Sequence, residues 1–187
     1  MKIAILFVFT LAFGQSFAQQ PVLLDSTMQK ALNEKGYSDT KINFRNFAAN
    51  APGGLVFTNE SLKGKTTFIN FWFEGCAPCE AEFDALNALY EKYKDNKNFQ
   101  FVSITFEPSE DIHRLARKHH LTYPIFHLDR DKIYDVIFQL GFPTNIITDA
   151  SGKISFIKSG GPIEKQKAQQ EFNRLYTGQV ERLLLPQ

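Results

Sequence analysis

The stretch FINFWFEGCAPCEAEF, residues 68–83, holds the only two cysteines of the 187-residue chain, Cys76 and Cys79, with Ala77 and Pro78 between them. Before them, Thr66 to Phe73 (TTFINFWF) is a nearly unbroken apolar run rich in β-formers, the pattern of a strand buried on both faces. After them, Phe83, Leu86, Leu89, Tyr90 and Tyr93 recur at helical spacing, while Glu80, Asp84 and Lys92 fall elsewhere on the turn. Pro78 fits the first helical turn without losing a hydrogen bond. The segment predicts a buried strand that turns straight into a helix, with the cysteine pair at the junction.

Working outward, the alternation continues. FQFVSITF (99–106) reads as a second buried strand. SEDIHRLARKHH follows as a helix with Ser109 as N-cap and Ile112, Leu115, Ala116 and His119 on one stripe. YPIF is a short extended piece, and DKIYDVIFQL places Ile133, Val136, Ile137 and Leu140 at helical spacing with Gly141 as the stop. PTNIITDASGKISFI predicts two strands joined by a turn at Asp149 to Gly152. Ala168, Phe172, Leu175, Gln179 and Leu183 give a final long helix one mostly apolar face. Upstream, INFRNF and GLVFTNE read as short extended pieces, with SLKGK as a turn. Strand, helix, strand, helix, then a hairpin and a helix predict an α/β sheet with helices on both faces. Residues 44–187 form this domain. Residues 19–43 are an N-terminal extension that holds a short helix after Asp25 or Ser26, ending near Gly36.

The first 18 residues, MKIAILFVFTLAFGQSFA, are of another kind. One Lys, an apolar run from Ile3 to Phe13, and Ser16 and Ala18 at the minus-three and minus-one positions fit a cleavable secretory signal. Eleven apolar residues fall short of the roughly 20 that span a bilayer as a helix. The expectation is cleavage after Ala18 and a periplasmic or otherwise exported product with no stable membrane insertion, in a compartment where disulfides form. The formal charge of +1 excludes a broad nucleic-acid surface, and RKHH at 117–120 reads as a solvated helix face.

The spacing of the cysteines narrows their chemistry. A disulfide between residues this close closes a tiny loop and constrains the unfolded chain little. A zinc site wants four ligands, and His113, His119, His120 and His127 match no finger spacing, so no metal is expected. Haem attachment needs His after the second cysteine, where Glu80 stands. A redox role has positive support. At a helix N-terminus the free N–H groups and the dipole favour the thiolate of Cys76, and Cys79 one turn on can displace a mixed disulfide.

FINFWFEGCAPCEAEF resembles the active-site segment of the thioredoxin-like proteins, and GFPTNIITDASGK resembles their cis-proline loop and following hairpin. With the signal segment, the Asn in NFW and the C-x-P-C motif, the chain is most similar to the TlpA/ResA-type exported thiol-disulfide oxidoreductases, over about residues 44 to 180. The resemblance implies a thioredoxin-like fold with a central mixed sheet. It makes Cys76 the nucleophile and Cys79 the resolving thiol. It implies a cis bond before Pro143, with Phe142 and Thr144 in the same substrate-binding loop and the Phe142 backbone free to pair with an extended client. Client proteins with cysteines, apocytochrome c among them, and a DsbD-type membrane electron donor would be the partners, with no organic cofactor. Three departures stand out. Gly75 replaces the family's Trp before the first cysteine. Asn70 replaces the buried Asp of thioredoxin, and Glu107, the candidate proton relay, stands one residue out of register. Glu74, Glu80 and Glu82 are read as exposed charges crowding the first turn and opposing a thiolate. Two rivals remain. A peroxiredoxin-like peroxidase is disfavoured by Phe73 standing three residues before Cys76, and a copper- or metal-binding assembly module by the narrow cysteine spacing.

Overall fold

The computed structural model describes residues 30, 36–38 and 42–185. The signal segment 1–18 and the body of the helix expected after Asp25 lie outside them. In chain order the strands are β1 (Tyr37–Ser38), β2 (Ala48–Asn50), β3 (Val56–Thr58), β4 (Thr66–Trp72), β5 (Phe99–Thr105), β6 (Ile125–His127), β7 (Thr144–Thr148) and β8 (Ile154–Ser159). The helices are α1 (Ala77–Tyr93), α2 (Ile112–Lys118), α3 (Arg130–Val136), α4 (Lys165–Phe172) and α5 (Gly178–Leu184). A π-helical turn, Asn173–Thr177, makes α4 and α5 continuous.

Among the described residues these strands form one mixed sheet of order β1-β8-β7-β4-β5-β6-β2-β3. β4, β5 and β6 run parallel, β7 runs antiparallel beside β4, and β8 runs antiparallel beside β7. All seven residues of β4 are buried, as its apolar run requires of a central strand. The period of two then sorts its side chains. Ile69 and Phe71 join a core with Val102, Ile104 and Ile146 under Ile133, Val136 and Ile137 of and just after α3. Phe68 and Trp72 join the opposite core with Phe83, Leu86 and Leu89 of α1, Leu115 of α2, and Phe172, Tyr176 and Val180. Helices therefore cover both faces. β1, inside the expected N-terminal extension, pairs with β8 and adds an edge strand.

Three local expectations need correction. α2 is capped by Asp111, not Ser109, whose carbonyl instead accepts from the Ile112 amide. α3 stops at Val136, well short of Gly141. Burial of Phe138 and Leu140 turns the chain inward, and Phe138 and Gln139 adopt φ of +58° and +62°. The last helix buries Ala168, Phe172, Tyr176 and Val180 rather than a stripe through Leu175 and Gln179. The π-turn widens the repeat beyond 3.6 residues, so the buried face advances by four residues each turn.

Candidate active site

β4 ends at Trp72, and Phe73, Glu74 and Gly75 make the loop into α1. Gly75 has φ of +81°, which glycine adopts without steric cost. Cys76 is the N-cap of α1, Ala77 and Pro78 open its first turn, and Cys76 and Cys79 are joined as a disulfide. Cys79 is fully buried, while Cys76 keeps a small exposed edge.

The sheet register brings the remaining sequence-derived candidates to this junction. Phe71 pairs with Thr144, so Pro143 and Phe142 emerge beside the end of β4, and the Phe142–Pro143 bond is cis. Thr144 is buried, its hydroxyl donating to the Gly141 carbonyl at 2.6 Å. Trp72 pairs with Thr105, so Glu107 leaves β5 next to the loop, where its Oε1 accepts from the Glu74 amide at 2.9 Å. Its backbone carbonyl lies 2.8 Å from His127 Nδ1. Glu107 thus holds the backbone of the cysteine loop.

Beneath the cysteines lies a chain of buried polar groups that the sequence reading missed. Ser103 Oγ faces Asn70 Oδ1 at 3.4 Å, and Asn70 Nδ2 donates to Asn145 Oδ1 at 2.8 Å. Asn145 Nδ2 donates to Glu82 Oε2 at 2.8 Å and lies 3.2 Å from the Tyr176 hydroxyl. Glu82 is 3% exposed, not a surface charge as expected from the sequence. Desolvation drives its carboxyl up to about 7, against the Asn145 hydrogen bond and the Lys158 charge, which pull it down. Glu82 lies three residues beyond Cys79 on α1, one turn along the same face. A methyl group placed on Gly161 would sit 3.0 Å from Glu82 Oε1 and 3.8 Å from Pro143 Cγ, which locates the carboxyl under the cis-proline loop. The signal was available in the spacing: Glu82 is in phase with Cys79, Phe83 and Leu86 on the buried side of the helix.

The charge reading of the first turn also needs correction. Glu74 is not a free negative charge. Arg114 Nη2 approaches it at 3.2 Å and Lys118 Nζ at 2.6 Å, both from α2. Hydrogen bonds from Arg114 and then Lys118 hold its carboxyl down at about 2. Glu80 Oε1 accepts from the Gly75 amide at 3.2 Å. His119 packs edge-on to Trp72 and Phe83, and burial pushes its imidazole pKa down. Among the described residues no group of three or more His, Cys, Asp or Glu side chains converges as a metal site.

Around the cis-proline loop the surface is aromatic. Phe142 meets Phe73 at 5.3 Å, Tyr134 at 5.6 Å and Phe106 at 5.8 Å between centroids, and Arg130 lies 4.9 Å over Phe106. These rings are only half-buried, and Phe73 and Phe142 among them pack against the core cluster that includes Cys76.

A strand-to-helix cysteine pair beside a cis-proline loop, on a mixed sheet covered on both faces, defines a thioredoxin-like protein. The sequence profile of the AhpC/TSA family matches residues 42–157, and the chain belongs to that family. It is 28% identical over 169 residues to the thiol-disulfide oxidoreductase ResA of Halalkalibacterium halodurans, covering 88% of either chain. To ResA of Bacillus cereus it is 30% identical over 110 residues, 58% of this chain and 63% of that one. Among solved structures it is similar to a thiol-disulfide oxidoreductase from Bacteroides fragilis, with a TM-score of 0.62 at 22% identity, over 76% of this chain and 100% of that one. StoA from Bacillus subtilis superposes with a TM-score of 0.54 at 19% identity, over 69% and 95% of the two chains.

Proposed function

We propose that this thiol-disulfide oxidoreductase is an exported protein disulfide reductase, with Cys76 as nucleophile, Cys79 as resolving thiol and Glu82 as the proton acceptor for Cys79. The observation that carries this reading is the Glu82 carboxyl buried on Asn145, one helical turn from the buried Cys79, where desolvation pushes its pKa up to about 7. A general base works best when its pKa lies near the working pH.

Reduction of a client proceeds through two thiol–disulfide exchanges. The Cys76 thiolate attacks one sulfur of a client disulfide; the new S–S bond forms, the client bond breaks, and the departing client thiolate takes a proton from water. Cys79 gives its proton to the Glu82 carboxylate and attacks the Cys76 sulfur. The Cys76–Cys79 bond forms, the mixed disulfide breaks, and the second client sulfur leaves as a thiol with the proton that Glu82 held. Two electrons have passed to the client. Re-reduction needs an external dithiol, the role we assign to a DsbD-type membrane donor. The backbone of Phe142 pairs with an extended client while the rings of Phe73, Phe106 and Phe142 receive its apolar side chains. Glu107 serves here as a positioning residue for the loop, not as the relay. The signal segment supports export. A secreted protein or apocytochrome c with paired cysteines fits as client.

The test is the rate at which a preformed mixed disulfide on Cys76 resolves. Glu82→Gln should slow it about 100-fold near neutral pH, within the range that general acid–base catalysis supplies. Resolution at the unmodified rate would remove Glu82 from the mechanism, and hydroperoxide turnover by the purified protein would favour the peroxidase instead.

A further inference from the structure

Lys158 is an unusual residue for its position. It lies in β8, whose six residues are all buried, and its own side chain is 2% exposed. A buried ammonium is costly unless every donor finds a partner. Here the three donors have three acceptors: Glu171 Oε1 at 3.0 Å, the Gly160 carbonyl at 2.8 Å and the Ser159 carbonyl at 3.4 Å. Glu171 comes from α4, across the layer, and is only 28% exposed. An apolar residue of similar length would fill the same space without this arrangement, so packing alone does not explain the lysine.

The register shows what the charge faces. Lys158 is the cross-strand partner of Asn145, the residue that donates to Glu82. Gly160, which accepts from Lys158, is followed by Gly161, which lies against the Glu82 carboxyl. The groups around Glu82 come from five places: Cys79 on its own helix, Asn145 on β7, Lys158 on β8, Glu171 on α4, and the Tyr176 hydroxyl on the π-turn. Tyr123, ahead of β6, is also within its electrostatic reach. Lys158 favours the ionised Glu82 and Glu171 disfavours it.

We propose that Lys158 and Glu171 are an opposed pair of positioning residues that set the proton affinity of Glu82, and through it the pH at which Cys79 is activated. The first half rests on the register that sets Lys158 beside Asn145, on its hold on Gly160 next to the Glu82 carboxyl, and on the signs of the two charges; the second rests on the role assigned to Glu82 above. Lys158 pulls the proton off the carboxyl, and Glu171, by pairing with the ammonium, restrains that pull. Removing either member should therefore move Glu82 in opposite directions. A role in packing or in holding the Gly160 loop would not produce opposite shifts.

The experiment is a side-chain carboxyl NMR titration of Glu82 in the oxidised protein, where neither cysteine titrates, for the native chain, Lys158→Met and Glu171→Gln. Lys158→Met should raise the midpoint by about half a pH unit or more, and Glu171→Gln should lower it, as expected for opposite charges acting on a buried acid. Midpoints that stay fixed, or that move in the same direction, overturn the proposal. Because Lys158→Met deprives two carbonyls of a donor, it can fail to fold; Glu171→Gln on the more exposed partner then decides alone, a fall supporting the proposal and no fall sinking it. The pH profile of mixed-disulfide resolution, measured on the same variants, separates the two halves. Profiles that follow the Glu82 midpoints support both. Shifted midpoints with an unmoved profile leave the opposed pair standing and overturn its link to Cys79.

Discussion

Asn145 donates to the Glu82 carboxyl at 2.8 Å while accepting from Asn70, so the residue standing where thioredoxin has its buried acid leads, through one amide, to a different buried acid. The carboxylate missing from β4 is supplied by α1. This arrangement has a direct consequence for stability.

Desolvation pushes the folded Glu82 carboxyl up to about 7, against about 4.5 for an exposed one. Its raised pKa means that the folded chain holds the proton more tightly than the unfolded chain. The associated stability is fully present below about 4.5, is lost as pH rises through about 7, and levels off above that. The difference amounts to about 3 kcal/mol. Urea unfolding of the oxidised protein should show stability falling between pH 4.5 and pH 8. Glu82→Gln should remove most of that slope and be more stable than the native chain at pH 8 by roughly 1–3 kcal/mol. Equal slopes in both proteins would mean that Glu82 ionises as a solvated group.

The assignment of the two cysteines is tested by trapping. Cys79→Ser should accumulate a covalent complex with clients in the native host, and Cys76→Ser should form none and lose disulfide reduction. Cys76 is the N-cap with an exposed edge, whereas Cys79 is wholly buried. Faster alkylation of Cys79 than of Cys76 in the reduced protein would reverse the roles.

Gly161 offers a third test. An alanine methyl there would lie 3.0 Å from Glu82 Oε1, close enough that the carboxyl must shift by a few tenths of an ångström, and no positive φ complicates the exchange. Gly161→Ala should cost about 1–3 kcal/mol by crowding and displace the carboxyl, slowing resolution of the mixed disulfide. The initial attack by Cys76 should keep its rate. A variant that slows both steps equally would place the damage in the cis-proline loop instead.

How much of this was legible in the sequence follows from which signals are local. The buried run of β4, the α1 stripe and the position of Cys76 depend on neighbours within a turn or two, and periodicity reports them. The Glu82 network does not announce itself, because its partners Asn145, Lys158 and Glu171 lie 63, 76 and 89 residues further along and meet only through the sheet and α4. Glu74 was misread for the same reason: its counter-ions sit on α2, 40 and 44 residues away. Short-range charge counts around the cysteines saw three glutamates and none of their partners.

That misreading supplies a prediction about Cys76. With Arg114 and Lys118 both neutralised as Arg114→Met and Lys118→Met, Glu74 becomes an unpaired anion two residues from the nucleophile. The pKa of Cys76 should rise, and its alkylation near pH 6.5 should slow about two- to tenfold, with the effect shrinking in high salt. Global stability should change by less than about 1 kcal/mol, since exposed ion pairs contribute little. Unchanged alkylation would mean that the loop charge does not reach Cys76.

The redox potential follows from the same inventory. A couple becomes oxidising when its reduced form is stabilised, chiefly through a low-pKa thiolate. The α1 dipole favours the Cys76 thiolate, and the two cations on Glu74 remove one of the three opposing charges. Glu80 remains at the mouth of the helix with its carboxylate on the Gly75 amide. Glu82 remains close by on the same helix, its carboxyl pushed up to about 7 by burial. These two keep the thiolate from the strong stabilisation that an oxidant needs. The couple should lie nearer thioredoxin, about −270 mV, than DsbA, about −120 mV, and the Glu74 pairing moves it upward from the thioredoxin end rather than below it. Glu80→Gln should move it further toward the oxidising side. Equilibration in glutathione buffers with thiol counting measures both values. A native potential close to that of DsbA would make the protein an oxidant and overturn the assignment as a reductase.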